Sequence, residues 1–88
     1  MSVEDLRTQV DQRLEQLEKA IARRDRGQII AQAHGVCGVK NIIGGFSLTD
    51  FQRRRMRANA HEIDKLGDDL ELKSTAEELR HVSNMGLS

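Results

Sequence analysis

The sequence predicts an all-α fold, a small antiparallel helical bundle of three long helices and a short fourth. Three observations carry that prediction. The 88 residues include no proline, and Ala, Leu, Glu, Gln and Arg, all good helix formers, are abundant. Apolar residues recur at intervals of three and four, which lines them along one face of a helix. Ser and Gly residues stand where those stripes begin and end.

The first stripe is Val3, Leu6, Val10, Leu14, Leu17 and Ile21. Glu4 and Asp5 near its start and Lys19, Arg23 and Arg24 near its end suit the helix dipole. Arg13 falls where a strict heptad would need an inward residue, so a bundle helix fits better than an extended coiled coil. Asp25, Arg26 and Gly27 read as a turn. A second helix then spans residues 28–43, with Ile29, Ile30, Ala33, Val36, Cys37 and Ile43 on one side. Lys40 falls on that side too and has to snorkel.

Gly44 and Gly45 close this helix, because glycine readily takes the left-handed conformation of a helix end. Ser47 is placed to cap the third helix, with Asp50 closing the box and Phe46 packing on Phe51. The third helix is expected over residues 48–72, with Met56, Ala60, Ile63, Leu66 and Leu70 inward. Gly67 weakens its last turns. Ser74 and Glu77 form another candidate capping box, opening a short fourth helix through Ala76, Leu79 and Val82. Continuation of the third helix through this region is the alternative. The chain reads as one domain over residues 1–88, with a frayed tail from Ser83.

A single domain of this size buries only roughly two-thirds of its unfolded surface, so a partner or a second copy would add stability. One cysteine makes no internal disulfide, and the N-terminal residues lack a basic run leading into an apolar one. A cytoplasmic location is the expectation, with no membrane span. Net charge is zero. Its distribution is uneven, with acidic residues prevailing at both ends and basic ones between them.

The second helix carries the residues with the most chemistry. His34 lies about 110° around the helical wheel from the centre of the apolar stripe. Gly27, Ala31, Gly38 and Asn41 share its side. An imidazole flanked by such small residues is open to a docking protein. A large side chain at position 38, one turn later, would obstruct that approach.

This segment resembles the histidine phosphotransfer (HPt) domain, a helical-bundle phosphoryl carrier of two-component phosphorelays. His34, Gly38 and Gly44 match the family's phosphoacceptor histidine and the glycines four and ten residues beyond it. Leu14, Leu17, Ala20, Ile21 and Asp25 resemble the preceding apolar helix and its acidic turn residue. The resemblance covers about residues 14–51. It implies that His34 takes a phosphoryl group from the aspartyl phosphate of a response-regulator receiver domain and passes it on. Gly38 would leave room for the receiver, which supplies the metal-assisted chemistry, so no cofactor is implied here. Cys37 stands where the family carries a charge-neutralising lysine, and Gly35 where a stronger helix former is common. Lys40 is the substitute cation within the segment.

Other residues have plainer readings beside the functional ones. His34 can equally be a surface histidine whose glycine neighbours allow a close helix crossing. Cys37 reads as a small buried apolar residue. His61 and Glu62 lack the second histidine of a zinc-protease motif, because Lys65 stands there. His81 has no ligand cluster, so no metal is expected. The run containing Arg53, Arg54, Arg55 and Arg57 suits nucleic-acid phosphates or an acidic protein surface; a solvated face is the plain alternative. Near-neutral charge and only two phenylalanines weigh against nucleic acid.

The functional expectation is a helical protein-interaction or regulatory adaptor module, forming a homodimer or binding another protein. An HPt-like phosphoryl carrier using His34, with Gly38 and Asn41 on its docking side, is the first alternative. Nucleic-acid binding through residues 53–57 is the second.

Overall fold

A computed structural model describes residues 3–42 and 48–84, with the side chains of Val3 and residues 39–42 excepted. Four helices make up the fold: α1 (Val3–Arg23), α2 (Arg26–Ile42), α3 (Asp50–Asp64) and α4 (Leu70–Asn84). No strand occurs among the described residues.

α1 and α2 form a tight hairpin. Arg24 turns the chain with a φ of 54°, in the left-handed region that glycine usually fills. Its N–H donates to the Ile21 carbonyl and that of Asp25 to the Ala20 carbonyl, the paired bonds of a Schellman ending. Asp25 then caps α2, its carboxylate accepting from the Gln28 N–H at 3.3 Å. The expected turn at Asp25–Gly27 is therefore shorter, and Arg26 and Gly27 already belong to the first turn of α2.

Thr49, rather than Ser47, caps α3. Its side chain accepts from the Gln52 N–H, and the Gln52 side chain accepts from the Thr49 N–H. Asp50 is the first helical residue and does not close the box. The expected partners Phe46 and Ser47 lie outside the described residues, as do Gly44 and Gly45, while Phe51 is exposed.

α3 ends at Asp64, earlier than its apolar spacing suggests, and the reason is local. Gly67 reverses the chain at φ 129°. Asp69 caps the next helix through its carboxylate, which accepts from the Glu71 N–H at 2.9 Å and the Leu72 N–H at 3.3 Å. Leu70, expected in the inner stripe of α3, is the first residue of α4 and 81% exposed. The fourth helix is as long as the third, and it includes Ser83, which is fully buried. Residues 85–88 lie outside the described set.

The two hairpins lie side by side, and the polar contacts give their sense. Gln52 meets Arg7 and Asp11, Arg55 meets Asp11 and Glu18, and Asn59 meets Glu18. Numbers rise together on both helices, so α1 and α3 run parallel. Arg53, near the start of α3, bonds Ser83, near the end of α4, so that pair is antiparallel. α2 and α4 are then parallel, with their first turns joined by Arg26 to Asp69 and Glu71. Each helix has two neighbours: α1 packs on α2 and α3, and α4 packs on α2 and α3. Antiparallel packing therefore holds within each hairpin and parallel packing between them.

One core unites the four helices. Val10, Leu14 and Leu17 come from α1; Ile29, Ala33, Val36 and Cys37 from α2; Met56, Ala60 and Ile63 from α3; and Leu72, Ala76, Leu79 and Val82 from α4. Burying each large aliphatic side chain contributes about 1.5–3 kcal/mol. The radius of gyration is 12.3 Å, close to the roughly 12 Å of a compact chain of this length. No described helix is long and apolar enough to cross a membrane.

Candidate functional site

α2 buries one side and exposes another. Ile29, Ala33, Val36 and Cys37 are all within the core. His34, one position beyond Ala33, is rotated by about 100° and is exposed to solvent. The sequence expectation of an accessible imidazole on the bundle surface therefore agrees with its placement. Ala31 is exposed, and Gly35 and Gly38 are half-buried.

The two glycines beside His34 differ in what surrounds them. A methyl group at Gly35 would come 2.6 Å from Arg13 Nη1 and 3.6 Å from its Cζ. The Arg13 side chain of α1 thus lies across the bare backbone of α2 at that point. Among the described residues, a methyl group at Gly38 would meet nothing within 4 Å. Packing among the described residues gives no reason for glycine at 38, although glycine in a helix interior costs about 1 kcal/mol relative to alanine.

Cys37 is 2% exposed and belongs to the core, as its apolar reading requires. It presents no thiol to the face that carries His34. Asn41 and Lys40, the other residues assigned to this side or its edge, have side chains outside the described set. Among the described residues no group of three or more His, Cys, Asp or Glu side chains is arranged to hold a metal ion.

The arginine run on α3 does not form one surface. Successive helical residues point about 100° apart, and the four arginines are distributed accordingly. Arg53 is 3% exposed; its guanidinium donates to the Ser83 carbonyl at 2.7 Å and the Leu48 carbonyl at 3.3 Å. Arg55 is half-buried and makes a two-point bond to Glu18, at 2.7 and 3.1 Å. This pairing raises the Arg55 pKa and lowers that of Glu18, in each case chiefly through the hydrogen bond between them. Only Arg54 and Arg57 are exposed. Two of the run's four charges, Arg53 and Arg55, therefore bond within the bundle.

Sequence reasoning missed Gln52, which is 2% exposed and links α3 to α1. Its amide donates to the Arg7 carbonyl and to the Asp11 carboxylate, both at 3.0 Å. The only local signal was its position three residues after Thr49, the spacing of a capping box. A cleft of about 600 Å³ opens at the end of the bundle where both hairpins turn. Arg24, Arg26, Lys65 and Asp69 line its rim, above Ile29 and Leu72. Four of its charges pair with one another, Arg26 with Asp69 and Lys65 with Glu62. The Arg26 contact holds the Asp69 carboxyl below its ordinary range.

The class these observations define is a small all-α bundle of two parallel-packed hairpins with an exposed histidine on its second helix. No family model matches the chain, and no curated protein or solved structure matches it at a significant level.

Proposed function

We propose that this chain is a small protein-interaction module of regulatory type, docking a partner on the outward face of α2 around His34. The observation that carries this reading is Gly38. It stands one turn beyond an exposed histidine, weakens the helix, and has no described neighbour within 4 Å of where a side chain would begin. A surface kept clear at the cost of helix propensity fits a face that another molecule approaches.

A phosphoryl carrier of HPt type is the second reading, favoured specifically by the exposed imidazole of His34. A ring nitrogen would attack the phosphorus of a receiver aspartyl phosphate. The new P–N bond forms as the acyl-phosphate P–O bond breaks; the aspartate leaves as carboxylate, and the other ring nitrogen gives up its proton to solvent. The receiver domain would supply any metal. Self-association through the same face is the other form of the docking proposal. Nucleic acid is the weakest occupant, because Arg53 and Arg55 are turned to internal partners.

Transfer from a panel of phosphorylated receiver domains tests the carrier reading. Phosphohistidine should form on the wild type and be lost in His34→Ala with helicity unchanged; no transfer from any receiver would end it. Sedimentation velocity of wild type and Gly38→Arg, over a wide concentration range, tests the docking face for a second copy. Concentration-dependent dimer lost in Gly38→Arg supports it, whereas monomer throughout removes self-association.

A further inference from the structure

A phosphoryl group on an imidazole carries up to two negative charges, and a cation beside it stabilises the more charged form. The position three residues after His34 supplies none, since Cys37 is buried and uncharged. We infer that Arg13, reaching across from α1, is the phosphoryl-binding cation of the His34 site; the inference rests on the carrier reading above.

The geometry that points to Arg13 is its path over Gly35, the residue next to His34. Its Nη1, Cζ and Cδ atoms lie 2.6, 3.6 and 3.8 Å from the place a Gly35 methyl would occupy. Consecutive Cα atoms are about 3.8 Å apart, so the guanidinium lies over the backbone immediately beside the histidine. Arg13 is exposed and forms no ion pair among the described residues. Arg55, Arg80 and Lys73, by contrast, are matched to Glu18, Asp64 and Asp68. Arg13 has five N–H donors in a planar fork, which suits two phosphoryl oxygens.

The same contact accounts for Gly35. Any side chain there would push the guanidinium away from α2. The heptad break that Arg13 makes in the α1 stripe then has a purpose. It places a long cationic side chain toward the neighbouring helix instead of an apolar one toward the core.

Phosphoramidate labels histidine without a receiver, which separates this inference from the reading beneath it. The imidazole nitrogen forms a P–N bond, the phosphoramidate P–N bond breaks, and the displaced ring proton leaves on ammonia as ammonium. In a His61→Gln, His81→Gln background the ³¹P signal reports His34 alone. Removing the guanidinium with Arg13→Gln should raise the phosphoryl titration midpoint by about half a unit, as expected for a charge several Å away in water. Arg13→Lys should restore most of the shift, and Gly35→Ala should reproduce part of the loss. Equal midpoints in the parent and Arg13→Gln would overturn the inference, as would failure of phosphoramidate to label His34. Receiver transfer without an Arg13 effect leaves the carrier reading standing and removes Arg13. An Arg13 effect without transfer from any receiver does the reverse.

Discussion

α2 and α3 use their sequences in opposite ways. α3 is rich in charge, yet it buries Gln52, Arg53 and Asn59 along with its apolar residues. α2 is the more apolar helix, yet it leaves a histidine exposed and a glycine with no described residue packed on it. Polar groups turned inward have to find partners, and those of α3 do so on both neighbours. Gln52 and Asn59 bond α1, and Arg53 bonds the Ser83 carbonyl of α4. Such bonds fix how far one hairpin slides along the other, because a shift of one turn would leave several groups unpaired. The apolar contacts of α2 are less particular about register. α3 therefore reads as the helix that aligns the bundle, and α2 as the helix with a face to spare.

The largest expected effect breaks α3. Arg53→Ala leaves the Ser83 and Leu48 carbonyls without this donor and empties a buried site, which should cost about 3 kcal/mol in chemical denaturation. Arg54→Ala, one residue on and exposed, should change stability by no more than about 0.5 kcal/mol. Equal effects would mean that the run is a surface after all. The pair also repairs any test of nucleic-acid binding. Arg54 and Arg57 can be neutralised together without unfolding the bundle, whereas Arg53 cannot.

A smaller effect follows from the seam between α1 and α3. The Glu18 carboxyl is held below its ordinary range by Arg55 first and by Asn59 as well, against the opposing effect of burial. A carboxyl depressed in the folded state stabilises it above the unfolded pKa, and that contribution disappears as pH falls through the folded value. Stability should therefore be steady down to the ordinary carboxylate range, then fall as Glu18 takes up its proton. Glu18→Gln should cost about 1 kcal/mol at neutral pH and show a shallower acid limb. Identical acid limbs in wild type and variant would mean that the Arg55 pair contributes nothing to folding.

Much of this division was legible in the sequence, and the part that was not has a physical cause. The stripes of α1, α2 and α4 appear where three- and four-residue spacing puts them, because burial of Leu14, Val36 or Leu79 depends on which side of a helix a residue occupies. His34 could be placed outside that stripe by the same rule. The inward turn of Arg53 could not, because its main partner lies thirty residues away on a helix whose position depends on the Asp69 cap. Leu70 misled for a related reason. Its spacing continues α3, but Gly67 and Asp69 end one helix and start another before the stripe reaches it. Local pattern locates faces; it does not say which polar groups a distant carbonyl will draw inward.

The smallest expected effect is the most direct test of α2, because it should have the opposite sign. Gly38→Ala adds a methyl group that meets no described residue within 4 Å and removes the backbone entropy cost of glycine in a helix, so it should stabilise by up to about 1 kcal/mol. Gly35→Ala gains the same propensity but must displace the Arg13 guanidinium, so its net gain should be smaller. Thermal midpoints of the two variants read the difference directly. If Gly38→Ala destabilises as a core substitution does, position 38 is packed and the clear face proposed for α2 is lost. If it stabilises, the natural glycine is a weakness the fold does not need. Its presence beside an exposed histidine then has to be explained by what approaches from outside.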